Sequence, residues 1–240
     1  MKKILIAALI ALVLFGFLAV ATRPEKEDKG PLEKITFIHY KKGTHEANNS
    51  GKAKPGTSCY SFLSTGAKWK TTEPFAINPS NNDSVSETAV QNAVNAGVAE
   101  WEKSGGNIFG NGSIDYTASY NGGALDGINT VTFGDLGNQG IIAVTTIWGY
   151  FSGPTQSREL IEWDLQFNDY FQYGDATTTD YVMDVQNIAT HELGHAAGMA
   201  DLYTVSCNNE TMYGYSSVGE TQKRTLNIGD IKGIKLLYGA

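Results

Sequence analysis

The chain has 240 residues, room for one sizeable domain and an N-terminal extension. Residues 1–58 carry ten Lys or Arg against five Asp or Glu, whereas residues 59–240 carry eight against twenty, so the globular part is acidic by twelve charges. Such a surface repels phosphate backbones, which argues against nucleic acid as a partner.

At the N-terminus, Lys2 and Lys3 precede an unbroken run of apolar residues and Gly from Ile4 to Val20, followed by the small-residue site Ala19-Val20-Ala21. Residues 1–21 therefore read as a signal peptide or, the run being just long enough to span a bilayer, as an uncleaved membrane anchor. Either reading puts the bulk of the chain outside the cell, with the membrane touched only through this segment and the rest a monomer. Residues 22–58 are rich in Lys, Gly, Pro, Asn and Glu and read as a linker or pro-segment, a solvated stalk interrupted by the short run Ile35-Thr-Phe-Ile-His-Tyr40. Residues 59–240 form the folded domain.

A first strand is expected around Lys68 to Ile77, ended by Asn78-Pro79. A helix follows: Ser84 and Glu87 have capping-box spacing, Val90, Val94, Val98 and Trp101 recur on one face, and Gly105-Gly106 stops it. Short strands punctuated by Gly come next, at Ile114 to Tyr120, Thr130 to Phe133, Ile141 to Trp148 and Leu160 to Phe167. A second helix runs from Asp184 to Gly198 and a third from Asn227 to Tyr238, with Ile231, Ile234 and Tyr238 on its buried stripe. One mixed sheet with three helices is an α+β domain. Cys59 and Cys207 are the only cysteines, and in an oxidising compartment they are expected to pair; two buried free thiols are the alternative.

The chemistry is carried by His191-Glu-Leu-Gly-His195. Four residues on a helix are about one turn, so both imidazoles project from one face and can share a Zn²⁺, with Glu192 beside them as general base. A catalytic zinc takes three protein ligands and keeps a position for water. The only other histidines, His39 and His45, lie in the stretch read as linker, so a carboxylate is expected as third ligand. Gly198 lets the chain turn sharply out of the helix and Asp201 follows, giving H-E-x-x-H-x-x-G-x-x-D.

This pattern resembles the metzincin metallopeptidases, whose zinc helix, glycine turn and third ligand are followed by a methionine-containing turn; here the candidate is Met212 in Thr211-Met-Tyr-Gly-Tyr215. Met212-Tyr213 and the terminal Asp230-Ile-Lys-Gly-Ile-Lys-Leu-Leu-Tyr-Gly239 are similar to the matrixins over roughly residues 60–240. Matrixins generally use histidine as third ligand, and Asp201 at that place resembles the snapalysin type. The resemblance implies a single metzincin-like peptidase domain with a twisted mixed sheet, and a secreted zinc endopeptidase of protein or peptide substrates. A substrate is then expected to lie extended along the edge strand at Ile142, Ala143 and Val144, with Tyr213 and Tyr215 walling the pocket past the cleavage point. Residues 60–190 contain no histidine, so the family's second, structural zinc cannot be built, while calcium is possible near Asp164, Asp169 and Asp175. The family's latency cysteine has a different context from Cys59, which lies in Gly56-Thr-Ser-Cys-Tyr60. Two rivals stand: a thermolysin-like site with Glu210 or Glu220 as third ligand, and a surface-anchored binding module with a vestigial zinc site.

Overall fold

A computed structural model describes residues 28–45, 58–138 and 140–239. The expected signal peptide or anchor at residues 1–21 lies outside the described residues. The elements run β1 (Glu33–Lys41), β2 (Phe75–Ile77), α1 (Glu87–Gly105), β3 (Gly112–Ile114), β4 (Asn129–Gly134), β5 (Ile141–Tyr150), β6 (Glu159–Asn168), β7 (Tyr173–Gly174), β8 (Met183–Asp184), α2 (Val185–Ala196), β9 (Tyr215–Ser216) and α3 (Ile228–Tyr238). The main sheet has the order β3-β2-β4-β6-β5-β1-β9. Its β3-β2-β4-β6 half is parallel, β5 runs antiparallel to β6, β1 antiparallel to β5, and β9 parallel to β1. This mixed sheet and three helices make the α+β fold expected from the sequence.

The strand order holds a departure from the linker reading. Glu33–Lys41 is a full strand of the main sheet, paired along β5 from Glu33 opposite Gly149 to Tyr40 opposite Ile141. The edge of Ile141 to Trp148, which the sequence reserved for a peptide, is covered in this structure by a stretch of the chain itself.

Local chemistry explains the other boundaries. Helix α1 begins two residues later than the Ser84 cap implies: Ser86 is the N-cap and accepts from the Ala89 amide, while Ser84 sits at φ 59°. The expected strand at 68–77 shrinks to β2 with an isolated bridge at Lys68, and the one at 114–120 to β3, because Asp115 takes the Thr117 amide and hydroxyl and turns the chain. Helix α2 starts at the expected cap, Asp184, whose carboxylate accepts from the Asn187 amide. Helix α3 has a capping box between Asn227 and Asp230. A disulfide joins Cys59 to Cys207, as expected, tying the N-terminal side of the domain to the loop after α2.

The core lies between the sheet and α1 and α2. Val90, Val94 and Trp101 of α1 are buried, as are Ile142, Ile147, Leu165 and Phe167 from the sheet. Helix α2 is buried on every side, and Trp101 and Trp69 donate their indole N–H groups to the carbonyls of Thr190 and Ala196 at 2.7 and 2.8 Å. A helix so enclosed has little freedom to move, which suits it to carry a site whose geometry must not drift.

Candidate metal centre

His191 and His195 lie one turn apart on α2 with their rings fully buried, at a centroid separation of 5.0 Å and at right angles. Each Nδ1 faces a carbonyl, His191 that of Thr211 at 2.7 Å and His195 that of Met199 at 3.0 Å. A carbonyl only accepts, so both Nδ1 atoms donate, and in the neutral form of each ring Nε2 carries the lone pair that can bind a metal. Burial lowers the His191 pKa to about 4, with His39 adding to the effect, so this ring is neutral at pH 7.

The third group arrives through the turn at Gly198. Its φ is 97°, and a Cβ there would lie 2.8 Å from the Ala67 carbonyl oxygen, so only glycine fits the corner without strain. Asp201 then returns with Oδ1 3.3 Å from His191 Nε2 and 3.4 Å from His195 Nε2. Burial alone would raise the Asp201 pKa, but His195 and His191 outweigh it and hold the carboxyl well below the usual range. Its other oxygen, Oδ2, accepts from the Tyr203 hydroxyl at 3.0 Å. His191 Nε2 and Asp201 Oδ1 are buried with no hydrogen-bond partner.

Orphaned buried polar atoms are costly unless something unseen completes them. Donors about 2.0–2.2 Å from a tetrahedral ion lie about 3.3–3.6 Å from one another, and the measured 3.3 and 3.4 Å fall in that range. Two imidazoles and one carboxylate oxygen therefore fit a single zinc. The two rivals for third ligand are engaged elsewhere: Glu210 caps α3 by accepting from the Gly229 and Asp230 amides, and Glu220 pairs with the buried Lys223. Neither belongs to the group that could hold a metal. Calcium has no such support. Asp164 accepts from Thr130 within the sheet, Asp175 pairs with Arg224, and among the described residues neither these nor Asp169 form a metal-holding group.

Met212 is fully buried under α2. A Cβ on Gly194 would lie 2.2 Å from its Sδ and 2.5 Å from Trp101, so glycine between the two histidines is what lets the methionine and the helix approach. The turn is pinned by α3, where Asp230 accepts from the amides of Thr211 and Met212 at 2.6 and 3.2 Å. Through the Thr211 carbonyl the same turn orients His191.

A family model, that of the matrixins, matches residues 68–239. The chain belongs to the matrixin family. Matrixins are zinc-dependent metallopeptidases, so this matrixin acts on protein or peptide substrates. Among curated proteins nothing matches the chain.

Around the matrixin site lie residues that sequence reasoning did not assign. The Thr145 hydroxyl on β5 donates to Glu192 Oε2 at 2.5 Å, and burial raises the Glu192 pKa. His39 on β1 reaches Glu192 Oε1 through Nδ1 at 2.8 Å, and its ring lies 3.9 Å from that of His191. Phe37 stacks on His195 at 3.9 Å and 8°. Of the expected substrate contacts, Ala143 and Val144 face His39 and Ile38 across the β5–β1 ladder, Tyr215 pairs with Tyr40, and the ring of Tyr213 lies 5.8 Å from that of Tyr215. Ile142 is buried and its carbonyl accepts from the Tyr173 hydroxyl. The alternation of Ile35, Phe37 and His39 was the available signal for β1.

Proposed function

We propose that this matrixin is a secreted zinc endopeptidase in which His191, His195 and the snapalysin-type Asp201 hold the metal and Glu192 is the general base. One observation carries the reading: two imidazole lone pairs and an unpartnered carboxylate oxygen converge in a buried site at ligand spacing, with a second carboxylate on the same helix. When bound, zinc supplies Lewis acidity, polarising the scissile carbonyl and making water acidic enough to react near neutral pH. Glu192 takes a proton from the attacking water and delivers it to the leaving amine. Its raised pKa suits that exchange, since a base poised closer to the working pH both accepts and returns a proton. Met212 is the floor beneath the ligands. The edge of β5 and the Tyr213–Ser216 segment bind the peptide in extended form. Export is supported by the Cys59–Cys207 disulfide and by the apolar N-terminal run. Among the described residues no helix is long and apolar enough to cross a membrane.

The test is to incubate zinc-loaded protein with denatured protein mixtures, with and without chelator, and to map cut sites by mass spectrometry. Glu192→Ala is expected to keep its zinc and to lose turnover by about two to four orders of magnitude. Persistent cleavage by a metal-loaded Glu192→Ala protein overturns the assignment.

A further inference from the structure

Strand β1 lies where a substrate has to lie. It pairs antiparallel with the outer edge of β5 over Glu33 to Tyr40 and then parallel with β9 at Tyr40 and Lys41. The Lys41 and Lys42 amides extend the pairing to the carbonyls of Gly140 and Ser216, at 2.7 and 2.9 Å. Its inward side chains fill the site: Phe37 covers one zinc-ligand candidate by stacking on His195, and His39 covers the other, His191, while holding Glu192. With Thr145 on Oε2 and His39 on Oε1, both oxygens of Glu192 are occupied. The strand is anchored along its length by the Lys29–Glu159 ion pair, by Ser152 donating to Glu33, and by the Thr36–Thr146 hydroxyl pair at 3.2 Å. It also lies outside residues 68–239, the part that matches the family.

We infer that Glu33–Lys41 is an intramolecular inhibitor, an extended segment that occupies the peptide groove and caps the general base through His39, holding the intact chain latent. This rests on the peptidase reading above. His39 reaches the base through Nδ1, while its Nε2 is buried with no hydrogen-bond partner. The His39–His191–Glu192 and His191–His195–Asp201 groups share a residue yet do not merge into one set with all donor atoms within 4.8 Å. No cysteine is involved, since both cysteines are joined in the disulfide. A peptide must displace β1 to reach β5. A competitor held on the same chain acts at an effective concentration on the order of millimolar, so even a modest intrinsic affinity suppresses binding tenfold or more.

The test uses the intact, zinc-loaded chain and two readouts, anisotropy of a fluorescent peptide hydroxamate and cleavage of a quenched peptide. The double variant Phe37→Ala/His39→Ala is expected to bind the hydroxamate and to cleave at least tenfold better than the natural chain at equal zinc content. A second variant, Thr36→Cys/Thr146→Cys, locks the strand on β5 when oxidised. It is expected to bind the probe at least tenfold more weakly than the natural chain and to recover on mild reduction, with the natural chain reduced in parallel as control. Equal probe affinity in the natural chain, the double variant and the oxidised lock overturns the inference. Probe binding that follows the expected pattern, with no cleavage by any variant, upholds the occlusion and overturns the peptidase reading instead.

Discussion

The Tyr203 hydroxyl is the most direct handle on the third ligand. It donates to Asp201 Oδ2 at 3.0 Å, while Oδ1, 3.3 and 3.4 Å from the two imidazoles, is left to the metal. Tyr203→Phe removes one oxygen and leaves the ring packed at 5.5 Å from Tyr215. Groups that orient a ligand are worth about 10- to 100-fold in metal affinity. Tyr203 is only half-buried, so water can partly replace the hydroxyl, and the lower end applies. The zinc Kd is expected to rise about tenfold, or ~1.4 kcal/mol. Competition against a chromophoric chelator at constant pH measures it, with thermal unfolding of the metal-free protein showing that the fold is intact. Asp201→Ala, run beside it, is expected to cost far more. An unchanged Kd in Tyr203→Phe, or zinc held as tightly in Asp201→Ala, refutes Asp201 as a ligand oriented by Tyr203.

Other consequences follow from the same geometry. Gly194→Ala forces a methyl against Met212 and Trp101 and is expected to destabilise the domain by about 1–3 kcal/mol, read from chemical denaturation. Exchanging Asp201 for His adds one unit of positive charge to the site, so the acidic limb of the pH–rate profile is expected to move to lower pH with zinc bound; an unmoved limb sinks the idea. Burial raises the Asp164 pKa to about 7, so the carboxyl stays protonated in the fold after an unfolded chain has lost its proton. Its contribution is complete below about pH 4 and is lost as the pH rises through about 7, and Asp164→Asn is expected to flatten the fall in Tm across that window. Reducing the Cys59–Cys207 bond, which spans 148 residues, is expected to cost about 2–4 kcal/mol.

The parts of this fold that were legible in the sequence are those whose signals are local. Strands β4, β5 and β6 lie within a few residues of the expected runs, because buried strands have to be apolar whatever their partners. Helices α2 and α3 start at their caps, Asp184 and Asn227, since a cap is chemistry between neighbours. The error at α1 has the same origin. Ser84 and Ser86 are both plausible caps, and the choice fell to Asn81, whose carboxamide binds Asp83, Val85 and so holds the chain out of helix for two further residues.

The site divides along the same line. The two histidines, Glu192, Gly198, Asp201 and Met212 fall within 22 residues of one another, and the structure brings them together as that spacing implied. His39, Thr145 and Phe37 come from 46 to 158 residues away, and the only local mark on them is the brief alternation of Ile35, Phe37 and His39. A short alternating run among Lys, Gly and Asn residues buries too little to fold alone and is indistinguishable from linker until a partner edge exists. That partner is the unpaired side of β5, and an open sheet edge pairs with whatever extended chain is nearest. The property that would let β5 recruit a peptide in the proposed function is therefore the one that captures β1. In the inference drawn above, Glu33–Lys41 takes the place on that edge that a peptide would otherwise occupy.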